Sequence, residues 1–317
     1  MKQPVYQPQG VSLQWQQLAE LRFVARQLEL TPNHRHLSQL TGAYRTRLRG
    51  RGIDFAEVRS YQPGDDVRHI DWRVTARSNQ PHTKIFTEER DRNVIVFCDQ
   101  RSNMAFGSSQ CFKSVMAAAV ASLISWSALA GNDKIGGMIA GNTIHSYKPK
   151  RGQKGLLRGL QWMAQCNQDL LSDATSAPQS LAHCFAELNQ ISKPGSSIYI
   201  ISDFHDLDSA AFQQLHRISK HCELHAIQTL DPMEKQLPNQ GRFRITDGQN
   251  HATLAADKHL QQRYSADYDH QQEQLKQQLA SIHTPLIEIF TNQEPLAVLQ
   301  YYFAIKSLGV KVKRGRL

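Results

Sequence analysis

The stretch VIVFCD at residues 94–99 decides the fold, and the polar turn QRSNM at 100–104 follows it. Five apolar residues without a break are typical of a strand covered on both faces, as in a parallel sheet. An Ala-rich segment at 110–130 comes next and is predicted to form a buried helix, which completes the first half of a βαβ unit. Asp99 is therefore expected at the carboxyl end of a central strand, where open α/β sheets bind their ligands.

A second apolar stretch, SIYIIS at residues 197–202, repeats this pattern and is closed by Asp203. Because the carboxyl ends of parallel strands meet at one edge of a sheet, Asp99 and Asp203 are expected to point toward one place. Carboxylate oxygens suit a hard divalent cation such as Mg²⁺. The alternative is that each Asp caps the next helix or binds turn amides. The residues alone leave both interpretations open.

Strand and helix patterns alternate through the rest of the chain, which predicts a Rossmann-like doubly wound α/β sheet. A hairpin is predicted over 134–147, with Gly141-Asn142 at its turn, and a smaller hairpin insertion over 241–254. Further strands are predicted at 222–230 and 285–290. Helices are predicted at 12–30, 156–166, 180–191, 210–220, 257–283 and 295–307.

Composition narrows the class of protein. The chain has 317 residues, 40% of them hydrophobic and 21% charged, as expected for one large domain with an extension or for two domains. Its five cysteines are far apart and form no CxxC pair, which excludes a zinc ribbon and fits a reducing compartment. Residues 1–9 lack the apolar core of a signal peptide, and 115–131 carries three serines and falls short of the roughly 20 apolar residues of a membrane span. The prediction is a soluble cytoplasmic protein without a membrane span.

A net charge of +9 raises nucleic-acid binding as an alternative function. Arginines alternate from Arg45 to Arg51, and the tail at 310–317 is basic. No aromatic stacking platform is interleaved with these charges, so nucleic acid is not the favoured partner. The chain also lacks a GxxxxGK[ST] phosphate-binding loop, which argues against nucleotide hydrolysis by the chain itself.

The region 42–92 is dense in charge, glycine and aromatic residues. Its Pro63-Gly64 pair predicts a turn, and the acidic pair that follows is expected to open a short helical turn. Residues Arg68, Asp71, Arg73 and Arg77 offer pairs three to five residues apart, which favours a structural ion-pair network over a catalytic Asp/His cluster. The residues interpreted as a structural signature are Arg59, Tyr61, Pro63, Gly64, Asp65, Asp66, Arg68, Asp71, Trp72 and Arg77.

Together with Gly50-Arg51-Gly52 and Phe55, this signature resembles bacterial domain-of-unknown-function family fifty-eight. The resemblance covers about 42–231, and DPME at 231–234 also looks like a family element. Members resemble von Willebrand factor A-like domain proteins and often accompany MoxR-type AAA+ ATPases. We therefore predict a flexible N-terminus at 1–11, an N-terminal helix and signature region at 12–91, a von Willebrand A-like domain at 92–309 with the hairpin insertion at 241–254, and a basic tail at 310–317.

The resemblance also bears on the metal site. A-type domains hold Mg²⁺ with an Asp-x-Ser-x-Ser turn, a distant Thr and a second Asp. Asp99 matches the first Asp and Asp203 the last, but Arg101 and Asn103 stand where the two serines belong. The candidate metal ligands are therefore Asp99, Asn103 and Asp203. A guanidinium cannot ligate a metal, and Arg101 paired with either Asp would neutralise this degenerate adhesion site without an ion.

The predicted function is non-enzymatic protein–protein interaction. By the resemblance, the chain is expected to be an adaptor or co-chaperone for a MoxR-type AAA+ ATPase in assembling or activating client proteins. The expected partner-binding face comprises Asp99, Arg101, Asn103 and Asp203, with Arg101 receiving an acidic side chain of the partner. The alternative is a metal-dependent hydrolase that uses Asp99 and Asp203, for which His205 is the nearby candidate base.

Overall fold

The computed structural model describes residues 6–30, 54–62, 66–78, 80–87, 92–172, 179–237, 241–246, 251–256 and 258–307. Several predictions lie outside these residues: the Arg45 to Arg51 stretch, Pro63, Gly64 and Asp65 of the signature, and the tail at 310–317. The chain divides into two compact units, Met1–Asn33 with Arg92–Leu317, and His34–Asp91. Each unit is described by itself.

The strands are β1 (Asp54–Ser60), β2 (His82–Thr87), β3 (Asn93–Asp99), β4 (Lys134–Ala140), β5 (Ile144–Lys150), β6 (Ser197–Ser202), β7 (Glu223–Leu230), β8 (Gly241–Thr246), β9 (His251–Ala256) and β10 (Leu286–Phe290). The α-helices are α1 (Trp15–Glu20), α2 (Arg22–Ala25), α3 (Trp72–Ser78), α4 (Lys113–Ala130), α5 (Gln153–Leu171), α6 (Leu181–Ile191), α7 (Ser209–Ser219), α8 (Pro232–Lys235), α9 (Lys258–Ser281) and α10 (Pro295–Ser307).

The larger unit is built on a sheet with the strand order β10-β7-β6-β3-β4-β5. All neighbouring pairs are parallel except β4 and β5, which form the hairpin that the sequence predicted at this edge. Strands β3 and β6 lie side by side at the centre, and every residue of β6 is buried. The fold class is therefore confirmed as a Rossmann-like doubly wound α/β sheet, and β8 and β9 form a separate antiparallel hairpin.

Alternate residues of β3 face two different cores, which is why its sequence is apolar without a break. Val94, Val96 and Cys98 join the core that contains α4. Ile95 and Phe97 join the opposite core, which contains apolar side chains of α6, α7 and α9. A strand in this position buries both faces, as expected at the centre of a parallel sheet.

Helix α4 is apolar on all sides because it is covered on all sides. It contacts β3, β4, β6 and β7 on one side, and α1, α2, α5 and α10 on the other. By length and composition alone it qualifies as a candidate membrane span among the described residues, and 89% of its residues are buried within the protein. The predicted buried helix is thus confirmed, and cytoplasmic localisation stays a prediction.

The N-terminal residues form part of the sheet unit. The single helix predicted over 12–30 is two short helices, α1 and α2, which meet at Leu21. Leu18 and Leu21 are buried in the core of α4, and Trp126 Nε1 donates a hydrogen bond to the Leu18 carbonyl oxygen at 3.1 Å. The compact units therefore differ from the predicted domains, which grouped 12–91 together, because these leucines pack on α4.

The smaller unit contains the described part of the signature. Strands β1 and β2 pair antiparallel, and a 3-10 turn at Val67–His69 and helix α3 lie between them in sequence. Asp66 accepts a hydrogen bond from the Arg68 backbone N–H at 3.0 Å and caps the 3-10 turn, as expected for an acidic residue at that point. Trp72 is 71% exposed, so it adds little buried apolar area.

Asp71 corrects the predicted arginine network. Its Oδ1 accepts hydrogen bonds from two backbone N–H groups at the start of α3, at 3.0 and 3.2 Å. Among the described residues its ion pair is with Lys84 of β2, at 3.5 Å, and not with a neighbouring arginine. The sequence spacing pointed to arginines, but a bridge between Ile70 and Thr83 and a hydrogen bond from the Asp71 N–H to the His82 carbonyl oxygen place Lys84 of β2 beside Asp71 instead.

Candidate functional site

Three neighbouring parallel strands each end in a buried carboxylate. Asp99 is the last residue of β3, Asp203 follows β6 and Asp231 follows β7, and their exposed fractions are 0%, 6% and 0%. The strand ends therefore bring Asp99 and Asp203 to one edge, as the sequence predicted. Asp231 adds a third carboxylate there, which the sequence offered only as a family element.

Arg101 neutralises Asp99, the carboxylate at the end of β3. Its Nε donates to Asp99 Oδ1 at 3.0 Å and its Nη2 to Asp99 Oδ2 at 2.8 Å, which is a bidentate pair. Nη2 also donates to Asp206 Oδ1 at 2.8 Å, and Nη1 donates to Asp206 Oδ2 at 2.6 Å. Nη1 further donates to the Gln179 carbonyl oxygen at 3.0 Å. One guanidinium thus holds two carboxylates and a loop carbonyl.

These contacts use the five N–H bonds of the Arg101 guanidinium. The residue is 3% exposed. Burial opposes its charge, but Asp206 and Asp99 outweigh that effect and raise the pKa of Arg101 above its ordinary value. This geometry corrects the prediction that Arg101 receives a partner's carboxylate, because no N–H remains to donate.

Lys113 neutralises Asp203, the carboxylate that follows β6. Its Nζ donates to Asp203 Oδ2 at 2.8 Å and to Glu234 Oε1 at 2.6 Å. Lys113 is 3% exposed, and burial opposes its charge, yet the two carboxylates outweigh burial and raise its pKa. Asp203 Oδ1 accepts further hydrogen bonds from Asn103 Nδ2 at 2.7 Å and from the His205 backbone N–H at 3.1 Å.

Asp231 is held without a cation among the described residues. Its Oδ2 accepts from the Ser108 backbone N–H at 2.8 Å and from Thr291 Oγ1 at 2.7 Å, and its Oδ1 accepts from the Met233 N–H at 2.9 Å. The Asp231 backbone N–H donates in turn to Glu234 Oε2 at 2.8 Å, which completes a capping box for α8. Burial opposes ionisation of Asp231, but these donors outweigh it and lower its pKa.

The residues at this edge do not fit a magnesium ion. Both oxygens of Asp99 and Oδ2 of Asp203 face buried cations, and Asn103 turns its amide nitrogen toward Asp203. Within the described residues, no three or more His, Cys, Asp or Glu side chains are grouped to hold a metal ion. The donor atoms that Mg²⁺ would need are therefore engaged by N–H groups, which also removes support for the hydrolase alternative.

Sequence reasoning missed Lys113 and Asp206 as parts of this edge. Lys113 carried a usable signal, since it is a lone cation at the start of an 18-residue apolar helix. A buried lysine in that position needs an anionic partner, and the acidic strand ends supply one. Asp206 carried no such signal, because its approach to Arg101 depends on the loop after β6.

A cavity of about 500 Å³ lies between α9 and the carboxyl ends of β6 and β7, next to the two carboxylates that pair with Lys113. Asp203, Gln228 and Glu234 line it from the sheet side, and Tyr264 and Tyr268 line it from α9. This volume falls in the range of about 300–1,000 Å³ that encloses small-molecule ligands. The sequence did not predict the cavity.

Most of the chain matches the sequences of known proteins. Residues 57–278 match the family described as "Protein of unknown function DUF58". An uncharacterized protein of Mycobacterium tuberculosis is 27% identical over 297 residues, which cover 92% of this chain and 91% of that protein. The uncharacterized protein YeaD of Bacillus subtilis is 43% identical over 51 residues, covering 16% of this chain and 13% of YeaD.

Comparisons with solved structures give remote similarities. The conserved hypothetical protein BatB from Bacteroides thetaiotaomicron is 14% identical with a TM-score of 0.37, covering 61% of this chain and 98% of that chain. An aerotolerance-related membrane protein from Bacteroides fragilis is 13% identical with a TM-score of 0.39, covering 66% and 96%. A von Willebrand factor type A structure from Catenulispora acidiphila is 8% identical with a TM-score of 0.34, covering 71% and 43%. The fold is therefore assigned from the order and direction of the strands in this chain.

Proposed function

The chain belongs to the DUF58 family of proteins of unknown function, and from that premise we propose that it is a non-enzymatic protein-binding module. It acts as an adaptor or co-chaperone that works with a MoxR-type AAA+ ATPase on client proteins. The observation that supports this best is the closed sheet edge, where Arg101 and Lys113 neutralise Asp99 and Asp203. The ATPase partner rests on the family resemblance of residues 42–231.

The internal ion pairs at this edge of the sheet affect how a partner can bind there. Its charges are already paired, so a partner does not have to supply an ion or a metal-bound carboxylate to dock there. The pairs also fix the loops after β3 and β6, because Arg101 links Asp99 to Asp206, which lies 105 residues after Arg101 in the sequence. Rigid loops at a sheet edge reduce the conformational entropy that association has to overcome.

The contact surface consists of the exposed side chains around Arg101. Phe106 in the loop after β3 is 41% exposed, and the Asp206 side chain in the loop after β6 is 43% exposed. Ser102 and His205 are also exposed. An exposed aromatic side chain favours this surface as an interface, because aromatic residues are enriched at protein interfaces.

The test begins with co-purification of the chain and an AAA+ ATPase from the native host. The purified ATPase is then titrated with wild type, Phe106→Ala and His205→Glu, with Tyr301→Ala on α10 as the control because Tyr301 is 65% exposed. Phe106→Ala is expected to weaken binding about tenfold, equal to about 1.4 kcal/mol. Equal affinity of all four proteins would exclude this edge as the interface, and failure to recover any AAA+ ATPase would contradict the partner.

A further inference from the structure

A strongly basic surface lies at the edge of the sheet where β5 meets α5. Residues 134–168 contain six lysines and arginines and no aspartate or glutamate. Lys148 and Lys150 on β5 and Lys154 and Arg158 on α5 are all exposed. The ion pairs among the described residues involve other cations. The four side chains are therefore free to meet an anionic partner.

Packing of the Tyr147 ring holds β5 against the first turns of α5. A Cβ atom at Gly137 of β4 or at Gly159 of α5 would lie 2.7 Å from this ring, so both glycines leave room for it. Lys150 lies opposite Ile135, which belongs to the core of α4, and opposed residues of an antiparallel pair face the same side. Lys150 therefore faces the side of the sheet that α5 covers, near the cations of that helix.

Strand β5 is also the last strand of the sheet on this side. It pairs with β4 in regular antiparallel register over 144–147, and the register shifts beyond Tyr147. Every second residue of such a strand points its backbone N–H and C=O groups away from the sheet. No strand pairs with these outward groups within the described part of the chain. An extended peptide carries the alternating donors and acceptors that fit them, and a nucleic-acid backbone does not.

The charge of this edge selects the kind of strand that can pair with it. Its lysines and Pro149 discourage pairing with an uncharged or basic strand, as edge lysines and prolines do in other sheets. Helix α5 has no acidic residue in its first turn, so its N-terminus adds positive potential. The Trp162 ring is already stacked on His145, with centroids 5.0 Å apart, and the Arg158 guanidinium lies 4.8 Å from its centroid. It is therefore not an open platform for nucleobases.

We infer that the edge formed by β5 and the first turns of α5 binds an extended acidic segment of a protein partner. The segment adds as a strand beside 144–147 and places its carboxylates near Lys150, Lys154 and Arg158. Backbone hydrogen bonds supply affinity in this mode of binding, and the charges supply selectivity. This inference rests on the protein-binding role proposed above and assigns it a second surface, separate from the loops that carry Phe106 and His205.

The test titrates the full chain with the acidic peptide acetyl-Glu-Thr-Glu-Thr-Glu-Thr-Glu-amide by calorimetry. One control peptide has glutamine for every glutamate, and another has proline for the central threonine. The acidic peptide is expected to bind at least about tenfold tighter than either, because glutamine removes the charge and proline removes an N–H donor. Its binding is also expected to slow hydrogen exchange of backbone amides within 144–147. A single-stranded thymidine hexanucleotide is the nucleic-acid probe, and it is expected to bind more weakly than the acidic peptide.

Two charge reversals locate the binding. Lys154→Glu is expected to weaken the acidic peptide about tenfold. It leaves the fold intact, because an acidic residue in the first turn of a helix is favourable. The matched control is Lys193→Glu, an exposed lysine before β6, which β3 and β4 separate from β5. This control changes the net charge equally and is expected to leave the affinity within about twofold of wild type, since salt screens distant surface charges.

Three results would overturn the inference: equal binding of the acidic and glutamine peptides, equal binding of the acidic and proline peptides, or tighter binding of the hexanucleotide. Equal affinity of Lys154→Glu and Lys193→Glu would overturn it as well. These titrations contain no ATPase, so they are independent of the proposed function. Absence of peptide binding with retained ATPase binding would contradict this surface alone. Peptide binding at β5 without any ATPase partner would contradict the proposed function alone.

Discussion

The sheet edge and the signature unit use charged residues in opposite ways. At the edge, Asp99 and Arg101 are almost fully buried, and each is satisfied by several charged hydrogen bonds. In the signature, Asp66 and Asp71 bind backbone N–H groups at the starts of short helical segments, and Trp72 stands in solvent. The edge holds a charge network in a low-dielectric interior, whereas the signature places its charges near water.

This difference shows that a stretch rich in charged and aromatic residues need not be buried in the folded protein. The signature is the most conspicuous charged stretch of the sequence, yet its described part is mostly exposed. Arg101 and Lys113 are single residues with little motif around them, and they hold the buried carboxylates. Desolvation explains the contrast, since a buried charge must be paired while an exposed one is stabilised by water.

The largest expected effect comes from Arg101→Ala, which leaves the fully buried Asp99 without its cation. A loss of about 3–5 kcal/mol in unfolding free energy is expected, measured by urea unfolding at pH 7. Burial already raises the pKa of Asp99 against the opposing hydrogen bonds of Arg101, and the variant raises it further. The native variant then binds more protons than its unfolded state, so its deficit should shrink as the pH falls from 7 toward 5. A loss below 1 kcal/mol would show that the pair is dispensable.

Lys113→Met is expected to cost less, about 2–4 kcal/mol in the same assay. Asp203 loses its cation, but the Asn103 amide and the His205 N–H still donate to its other oxygen. Glu234 also remains partly open to water, with a side chain that is 26% exposed. A loss greater than that of Arg101→Ala would reverse the ranking of the two buried clusters.

Asp206→Asn tests the exposed end of the Arg101 network. Burial opposes ionisation of Asp206, but the hydrogen bonds and charge of Arg101 outweigh it and lower its pKa. A carboxyl with a lowered folded pKa stabilises above its unfolded value of about 3.9, and this contribution is lost as the pH falls through the folded pKa. The side chain is 43% exposed, so screening limits the expected loss at pH 7 to about 1 kcal/mol. Equal acid-unfolding curves for wild type and variant would contradict the pairing.

Trp72→Ala in the signature should change the unfolding free energy by only about 0.5 kcal/mol or less, because the side chain is 71% exposed. Asp71→Ala should cost more than Trp72→Ala, since it removes the acceptor of two N–H groups at the start of α3. Hydrogen exchange of the α3 amides measures both. If Trp72→Ala proved as costly as the edge variants, the contrast between the two regions would fail.

The smallest expected effect is the response of the wild type to Mg²⁺. Titration calorimetry with Mg²⁺ and Mn²⁺ is expected to give weak binding or none, because N–H groups engage the oxygens of Asp99 and Asp203. Arg101→Ser is expected to raise the affinity by freeing Asp99. Binding by the wild type in the low micromolar range, abolished in Asp99→Ala, would show that the cations yield to a metal.

Local sequence patterns determined most of the fold. The unbroken apolar runs at 94–98 and 198–201 identified the two central strands, and helix α10 begins and ends where its pattern predicted, at 295–307. The helix predicted over 12–30 breaks at Leu21 into α1 and α2, a break that its apolar periodicity did not indicate. The position of a lysine in β2 beside Asp71 was equally out of reach, since the bridge between Ile70 and Thr83 of β2 decided it.

By itself the sequence determined the strand ends, the meeting of Asp99 with Asp203 and the presence of Arg101 in a serine position. Only the tertiary structure decided which cation neutralises which carboxylate, that Asp206 shares Arg101, and that a cavity opens beside Lys113. The physical reason is the distance in sequence between the residues that interact. Periodicity and strand ends follow from neighbouring residues, whereas pairing of buried charges depends on side chains about 100 residues apart that desolvation forces together.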